Sequence, residues 1–284
     1  MPALLTCNTI RQTAPEAFRR RAPDSHKGSF GTLGIIGGAE GMSGAVVLAA
    51  TAAVYGGSGK VWAGFRQNLL PVPFIESRPE IMLATAEALL ERNDITAWAC
   101  GCGLGVTPES AAVLETLLQR TDTPLLLDAD ALNLLAQSPE LSAAARTYPQ
   151  LIITPHPAEA ARLLGCTAAE VQADRETAVR TLAERFQAVA VLKGRHTLIA
   201  APDGSLFENT SGNPGLATAG SGDVLSGLTA ALLSQNIPPV QAACASVWLH
   251  GAAADLLAAQ HGETGMLAGE LPPTVRSMRN QMIG

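Results

Sequence analysis

One stretch indicates the fold of this 284-residue chain more clearly than any other: Asn213-Pro214-Gly215-Leu216-Ala217-Thr218-Ala219-Gly220-Ser221-Gly222-Asp223. The apolar residues that follow it have helical spacing: Val224, Leu225, Leu228, Ala231 and Leu232. Small residues before a helix let successive backbone N–H groups converge, and the helix dipole adds positive potential there. The stretch therefore predicts an anion hole for phosphate oxygens, formed by Gly220, Ser221 and Gly222 at the start of a buried helix.

Asp223, in the first turn of that helix, has two interpretations. A carboxylate at this position is favoured by the helix dipole alone. Phosphoryl transfer, however, also requires a carboxylate beside the anion hole, to take the proton of an attacking hydroxyl. We favour the catalytic interpretation because the glycine-rich run is longer than a simple helix cap.

Short apolar runs predict the rest of the architecture. They are continuous and end in Gly, Asp or Pro, which is typical of strands buried on both faces. Segments with helical periodicity lie between them. One helix is predicted to begin at Pro108 with Thr107 as its cap, and another to run from about Asp174 to Gln187. This order predicts an α/β three-layer sandwich, with a mostly parallel central sheet and helices on both faces. The predicted strands are Leu33–Ile36, Val61–Phe65, Thr96–Cys100, Leu125–Leu127, Leu151–Ile153 and Val189–Leu192.

An antiparallel hairpin follows this parallel series. Thr197–Ala200 and Leu206–Asn209 flank Pro202-Asp203-Gly204, and glycine tolerates the positive φ that such a turn needs.

The loops after the predicted strands indicate where a ligand binds, because ligands of open α/β sheets bind beyond the carboxyl ends of the strands. Each loop alone is weak evidence, since glycine makes turns and Asp or Asn caps helices. Several at one edge predict a cleft. The loops are Gly37–Ala45, Gly101–Gly105, Asp128–Asn133, Thr154–Glu159 and Lys193–Thr197.

Composition limits the partners and the compartment. A net charge of -6 without basic runs argues against nucleic acid or membrane as a main partner. The five cysteines are scattered and too few for a disulfide framework. The N-terminus lacks an apolar signal core, and no apolar run approaches the ~18 residues of a membrane span. We expect one domain over residues 1–284 and a reduced, cytoplasmic location.

The motifs together resemble a known family. Gly220-Ser221-Gly222-Asp223 is similar to the glycine-x-glycine-aspartate signature of the ribokinase-like superfamily. The strand-end loops, with His26-Lys27-Gly28 and Asn213-Pro214-Gly215, narrow the resemblance to the ADP-dependent NAD(P)H-hydrate dehydratases of the carboxy-terminal YjeF type. The resemblance covers residues 26–261 and leaves 1–25 as an N-terminal arm or short lead-in helix. Ala219 and Ser221 stand where Gly and Thr are usual, which alters loop stiffness but not a backbone anion hole.

The resemblance implies an activity. The family restores NADH or NADPH from the S-form of its hydrate, using ADP as co-substrate and Mg²⁺, and releases AMP and phosphate. Asp223 would take the proton of the hydrate's C6 hydroxyl as that oxygen attacks the terminal phosphorus of ADP. The epimerase domain of two-domain relatives has no room in this chain. The resemblance also implies a homotetramer.

The resemblance further implies the binding residues. Ala45, Gly105, His156 and Asp223 would contact the hydrated cofactor. Glu159 would bind Mg²⁺ through water. His156 could equally be a satisfied loop histidine, and Lys193 a solvated lysine at a strand end. The nucleotide contacts would be Lys193, Gly194, Arg195, His196, Thr197 and Gly222.

Several alternatives stay open at this point. Asp128 and Asp130 could cap a helix or face the nucleotide. The helix expected over Ser43–Tyr55 is apolar nearly all round, so it must be buried in the core or against another subunit. A small-molecule kinase of the same superfamily would share Asp223 and the anion hole. A non-catalytic nucleotide-binding module is the other rival.

Overall fold

The structure, a computed structural model, describes residues 2–283 and is centred on a ten-stranded sheet. The strand order is β1-β10-β9-β8-β7-β6-β5-β2-β3-β4, and neighbours are parallel except at β9, which runs antiparallel to β8 and β10. The strands are β1 (Ala3–Leu5), β2 (Thr32–Gly37), β3 (Lys60–Phe65), β4 (Met82–Thr85), β5 (Ala97–Cys100), β6 (Leu125–Leu127), β7 (Leu151–Ile153), β8 (Val189–Leu192), β9 (Thr197–Ala200) and β10 (Leu206–Asn209).

Helices cover both faces of the sheet, because successive side chains of a strand point to opposite sides. Ile35 therefore lies in one apolar core and Ile36 in the other. The first core holds α1 (Ile10–Thr13), α2 (Ser43–Tyr55), α10 (Ser221–Ser234), α11 (Pro239–His261) and α12 (Leu271–Met282). The second holds α3 (Ala86–Leu90), α4 (Pro108–Leu118), α5 (Asp130–Gln137), α6 (Pro139–Arg146), α7 (Pro157–Leu164), α8 (Ala168–Ala173) and α9 (Arg175–Phe186).

The sequence-based strands and helices are confirmed, with boundaries that differ by one residue or none. Thr107 caps α4, whose first residue is Pro108, and Asp174 caps α9. The hairpin of β9 and β10 is present and antiparallel. The mostly parallel α/β sandwich is therefore correct.

Two strands were missed because they lack a local signal. β1 is only three residues long and buries only Leu5. β4 is an edge strand whose four side chains are half-buried, and Thr85 at its end directly caps α3. Neither strand shows the continuous burial or the terminal glycine by which the other strands could be recognised.

The N-terminal residues contain the expected short helix, α1, and are also tied to the body of the protein. β1 pairs in parallel with β10. Ile10 and Phe18 are buried, and the ring of Phe18 meets Trp248 of α11 edge-to-face at 6.5 Å. This segment closes the outer edge of the sheet beyond the hairpin.

The apolar helix α2 is buried by its own chain. It lies against α10 at a close crossing, where a Cβ at Gly227 would lie 2.0 Å from the Ala49 carbonyl oxygen. Only glycine allows this approach. Of the two environments left open for α2, the core and a subunit interface, the structure shows that its buried face lies in the core.

One helix, α11, is long and apolar enough to cross a membrane by length and composition. Inside the protein, 72% of its apolar window is buried. That degree of burial is typical of a core helix in a globular fold, so its apolar surface is already covered by protein.

Candidate active site

The order in which the chain adds strands to the sheet reverses between β2 and β5, which are parallel neighbours. The chain leaves β2 for β3 and β4 on one side and returns to place β5 on the other, which opens a crevice at the carboxyl ends of β2 and β5. The loops that follow these two strands are hydrogen-bonded to each other: Gly38 N–H donates to the Cys102 carbonyl at 3.0 Å, and Ala39 N–H to that of Gly103 at 2.7 Å.

This crevice brings together two of the predicted substrate contacts. A Cβ at Gly103 would lie 3.1 Å from the Cβ of Ala45, so the start of α2 touches the loop that leads to Gly105. Gly105 has a φ of 78° and donates its N–H to Asp130 Oδ2 at 2.8 Å. Asp130 therefore fixes the Gly101–Gly105 loop.

The predicted anion hole lies at the start of α10. Gly220 is the N-cap residue with a φ of 89°, and it has no side chain with which to cap the first turn. Ser221 N–H donates to the Thr218 carbonyl at 3.4 Å, which leaves the N–H groups of Gly222 and Asp223 in the first turn for an anion. A Cβ at Gly220 would lie 2.4 Å from Leu48 Cδ1, so this bend needs glycine for space as well as for conformation.

A histidine that was not identified from the sequence is hydrogen-bonded to the backbone of this turn. His250 of α11 is buried, and its Nε2 lies 3.0 Å from the Ser221 carbonyl oxygen and 3.4 Å from Ser221 Oγ. Burial lowers the pKa of His250 to about 4, so the ring is neutral at pH 7 and its Nε2–H donates to the Ser221 carbonyl. The available signal was a histidine inside an otherwise apolar helix.

Lys193, at the end of β8, reaches the anion hole. A Cβ at Gly222 would lie 3.7 Å from Lys193 Nζ. The ammonium donates to Asp128 Oδ1 at 2.6 Å and lies 3.9 Å from Glu159 Oε2. Burial opposes the charge, but the two carboxylates outweigh it and raise the pKa of Lys193. A solvated lysine is excluded.

Asp128 is the anchor of that lysine. It is 2% exposed, and its second oxygen accepts a hydrogen bond from Ser226 Oγ of α10 at 2.6 Å. One carboxylate thereby joins the ends of β6 and β8 to the glycine-rich helix. Asp128 therefore caps no helix and forms a buried ion pair with Lys193, while a contact with the nucleotide stays a prediction.

His156 and Glu159 form a reciprocal cap on α7. His156 Nδ1 accepts from Ala158 N–H at 3.1 Å, while Glu159 Oε2 accepts from His156 N–H at 2.7 Å. The spacing of these two residues thus has a structural reason as a capping box. His156 is half-exposed at the cleft, and burial with the nearby Lys193 charge lowers its pKa, so the ring is neutral at pH 7.

Asp223 lies next to these groups, in the first turn of α10. Burial raises the pKa of Asp223, a hydrogen bond from the Cys102 thiol opposes the rise, and the charge of Asp128 adds to it. Cys102 itself is buried. A half-buried carboxylate with a raised pKa is suited to accept a proton.

The remaining predicted nucleotide contacts form the turn between β8 and β9. Gly194, Arg195 and His196 are exposed, and His196 Nδ1 lies 2.8 Å from Glu208 Oε1. Thr197 Oγ1 donates to the Gly194 carbonyl at 3.0 Å. The structure places Lys193 at the anion hole and this turn at the adjoining rim.

The donor set at the cleft fits a weakly held magnesium ion. Among residues 2–283, no three metal-ligating side chains converge. Mg²⁺ usually keeps several waters and binds one or two carboxylates together with substrate phosphates. Both oxygens of Glu159 already have partners in His156, so Glu159 would reach such an ion only through water.

These groups suit the transfer of a phosphoryl group. A phosphate at the start of α10 would have the Lys193 ammonium and the Asp223 carboxylate beside it, and phosphoryl transfer requires such a cation and such a base. With the mostly parallel sheet, this site defines an α/β protein of the ribokinase-like class. A ribokinase-like superfamily protein from Enterococcus faecalis V583 shares the fold, with a TM-score of 0.83, 24% identity and coverage of 99% of this chain and 96% of that one.

Comparison with known proteins makes the assignment specific. The chain belongs to the NAD(P)H-hydrate dehydratase family, whose model matches residues 33–276. It is 56% identical to the ADP-dependent (S)-NAD(P)H-hydrate dehydratase of Neisseria meningitidis serogroup B, over 94% of this chain and 91% of that protein. A solved Bacillus subtilis ADP/ATP-dependent NAD(P)H-hydrate dehydratase, co-crystallised with ATP and Mg²⁺, has a TM-score of 0.86, 32% identity and 99% coverage of both chains.

The chain also matches longer proteins. It spans about half the length of the bifunctional NAD(P)H-hydrate repair enzymes, among them that of Escherichia coli K12 at 43% identity. The resemblance inferred from the sequence motifs is confirmed. The structure brings Lys193 to Gly222 and Ala45 to the Gly101–Gly105 loop, while the roles of all the site residues stay proposals.

Proposed function

We propose that this protein is an ADP-dependent dehydratase that converts the S-form of hydrated NADH or NADPH to NADH or NADPH, with AMP and phosphate as the other products. One observation carries the proposal. The start of α10 combines backbone N–H groups, the Lys193 ammonium beside Gly222 and the Asp223 carboxylate within one turn. A family relative with this activity in its name is 56% identical over nearly the whole chain.

The chemistry follows from these groups. Asp223 accepts the proton of the C6 hydroxyl as that oxygen bonds to the terminal phosphorus of ADP and the bond between phosphorus and the bridging oxygen breaks, releasing AMP. The Gly220–Gly222 backbone and Lys193 stabilise the charge on the transferring group. The C6–O bond of the phosphate ester then breaks, driven by the ring nitrogen, and loss of the C5 proton restores the dihydropyridine.

We propose the following positions for the two ligands. Ala45, Gly105 and His156 line the side of the cleft where the hydrated ring binds, and Lys193–Thr197 with Gly222 holds the adenine nucleotide. Glu159 would hold Mg²⁺ through water, and the ion would supply positive charge to offset that of the β-phosphate. The neutral His156 and the Asp130-bound Gly105 orient the ring toward Asp223.

The stoichiometry of the reaction tests this function directly. One ADP should be consumed for each reduced cofactor recovered, because phosphate is placed on the hydroxyl and then expelled. AMP is measured by chromatography and reduced nicotinamide by absorbance, in the same sample, with and without a chelator. Chelation should stop both, since the backbone and one lysine do not offset the phosphate charge alone.

The kinase alternative shares the same site and gives a different result. A phosphoester that accumulates would show a kinase. Reduced cofactor without AMP would instead show that the nucleotide is only an activator and that Asp223 acts in direct elimination of water. Binding of ADP with neither product would show a non-catalytic module.

We also propose a homotetramer in the cytoplasm. Among the described residues, a run after β3 presents the exposed apolar side chains expected of a subunit contact, with Leu69 81% and Phe74 56% exposed. Light scattering should give about four times the 29.3 kDa chain mass, and Phe74→Ser should lower the mass. A 29.3 kDa particle at working concentrations would contradict the tetramer.

A further inference from the structure

A second cavity adjoins the proposed substrate site and is assigned no role by the mechanism above. It has a volume of about 290 Å³ and lies between the loop after β2, residues 66–68 after β3, and the start of α4. Gly105 lies at its border, since a Cβ there would be 3.6 Å from Ala39 Cβ and 3.9 Å from Ser110 Oγ. A ligand at Gly105 could therefore extend into the cavity.

Arg66 is the cation in this cavity, and its hydrogen-bonding capacity is unmet. Its side chain is 14% exposed, and its Nε is buried without a hydrogen-bond partner. Nη1 lies 3.6 Å from Glu87 and Nη2 3.7 Å from Glu109, beyond hydrogen-bonding distance, and both carboxylates are mostly exposed. At these distances, with both carboxylates facing solvent, the two ion pairs contribute little, while a buried donor without an acceptor is costly.

The backbone around Arg66 is held in place. Arg66 N–H donates to the Gly37 carbonyl at 2.7 Å. Gln67 Nε2 donates to the Gly38 carbonyl at 2.7 Å and to Ser43 Oγ at 2.8 Å. The amide of Gln67 is thus engaged in shaping the loop after β2. The guanidinium of Arg66 remains for an acceptor that the protein itself does not supply.

The position of Arg66 indicates which ligand supplies that acceptor. Lys193 follows β8 and Arg66 follows β3, and five strand spacings separate the two in the sheet. At about 4.8 Å per spacing, the two strands are roughly 24 Å apart. A single ADP at the anion hole does not fill both sites. The crevice between β2 and β5, where the hydrated ring is proposed to bind, lies between them.

We propose that Arg66 binds a phosphate group of the hydrated dinucleotide and so acts as a specificity-determining residue at the end of the substrate away from ADP. A guanidinium donates paired hydrogen bonds to phosphate oxygens, which match its fork geometry. The inference rests on the proposed function. The phosphate is either the diphosphate bridge, present in both hydrates, or the 2′-phosphate, present only in the NADPH hydrate.

Steady-state kinetics of Arg66→Met test the proposal. The KM for hydrated NADH and hydrated NADPH should rise at least ~10-fold, because charge-assisted hydrogen bonds are lost. The kcat and the KM for ADP should stay within about twofold. Hydrated reduced nicotinamide riboside, which has no phosphate, should show no change. A rise for the NADPH hydrate alone would identify the 2′-phosphate, and Arg66→Lys should restore part of the loss.

Two controls keep the result interpretable. Arg92→Met removes another partly exposed arginine, one paired with Asp94, and should leave every KM unchanged. Binding of ADP-ribose and of 2′-phospho-ADP-ribose by calorimetry, with saturating ADP present, needs no turnover. Arg66→Met should lose the binding of both ligands if Arg66 holds the diphosphate, and only the extra affinity of the 2′-phosphorylated ligand if it holds the 2′-phosphate. An unchanged KM for both hydrates with unchanged binding of both ADP-ribose ligands, or an equal effect on the riboside, would overturn the proposal. Absence of turnover in the wild type would instead contradict the proposed function.

Discussion

Asp223→Asn should lower turnover by ~100-fold or more while ADP binding is retained. The amide keeps the size of the carboxylate but cannot accept the C6 hydroxyl proton. The anion hole is made of backbone N–H groups and Lys193, which the substitution does not touch. The measurement is kcat from reduced-nicotinamide absorbance, with ADP binding followed separately by calorimetry.

The pH dependence should carry the signature of the same carboxylate. Burial raises the pKa of Asp223, and the base acts only when deprotonated. Activity should therefore fall, as pH is lowered, at a pH above the ordinary aspartate range. This acidic limb of kcat/KM should be absent from the residual activity of Asp223→Asn.

Thermal unfolding separates this role from a helix cap. Because burial disfavours ionised Asp223, the native state is destabilised by that charge at neutral pH, and Asp223→Asn should unfold at an equal or higher temperature. A residue that mainly offsets the helix dipole would instead be stabilising, and its loss would lower the Tm with activity per folded molecule unchanged. Retention of most of the turnover would show that Asp223 is not the base.

Lys193→Met should destabilise the protein by about 3–5 kcal/mol. The substitution leaves Asp128 buried with only the Ser226 hydroxyl as a side-chain hydrogen-bond donor. Denaturant unfolding measures the loss. Because the pKa of Lys193 is raised in the folded protein, the stabilisation that its charge provides is fully present at neutral pH. This stabilisation is lost as the pH rises through the raised pKa of Lys193.

Matched variants distinguish the ion pair from general damage. Lys193→Met combined with Asp128→Asn should recover part of the stability, since Asp128 no longer leaves an unpaired charge beside the lost ammonium and only the more distant Glu159 stays charged. Arg195→Met removes an exposed cation two residues away and should change stability by less than about 0.5 kcal/mol. The KM for ADP should rise in the Lys193 variants. Equal destabilisation by Arg195→Met would contradict the assigned role of Lys193.

The comparison of sequence and structure separates two kinds of information. β6, β7 and β8 were predicted with their observed boundaries because each is a continuous apolar run ended by a polar residue or a proline. β4 was missed because a half-buried edge strand has no such pattern. Local composition therefore identifies strands that are buried on both faces, but it often fails to identify strands at the edge of a sheet.

The candidate site shows the same division. The glycine-rich turn, Asp223 and the strand-end loops were found because glycine and carboxylate residues at strand ends have a chemical meaning on their own. The sequence did not determine whether Asp128 caps a helix or faces the nucleotide. Its pairing with Lys193, 65 residues later in the chain, excluded the helix cap.

The sequence by itself determined the alternation of strands and helices, the loops that meet at one edge of the sheet, and the family. The periodicity of hydrophobic residues and the positions of turn residues are local properties, so they can be recognised in the sequence of a single chain. Only the tertiary structure decided which side chains meet: His250 behind Ser221, and Arg66 in the cavity beside Gly105. These contacts depend on strand order and helix packing, which join residues far apart in the chain.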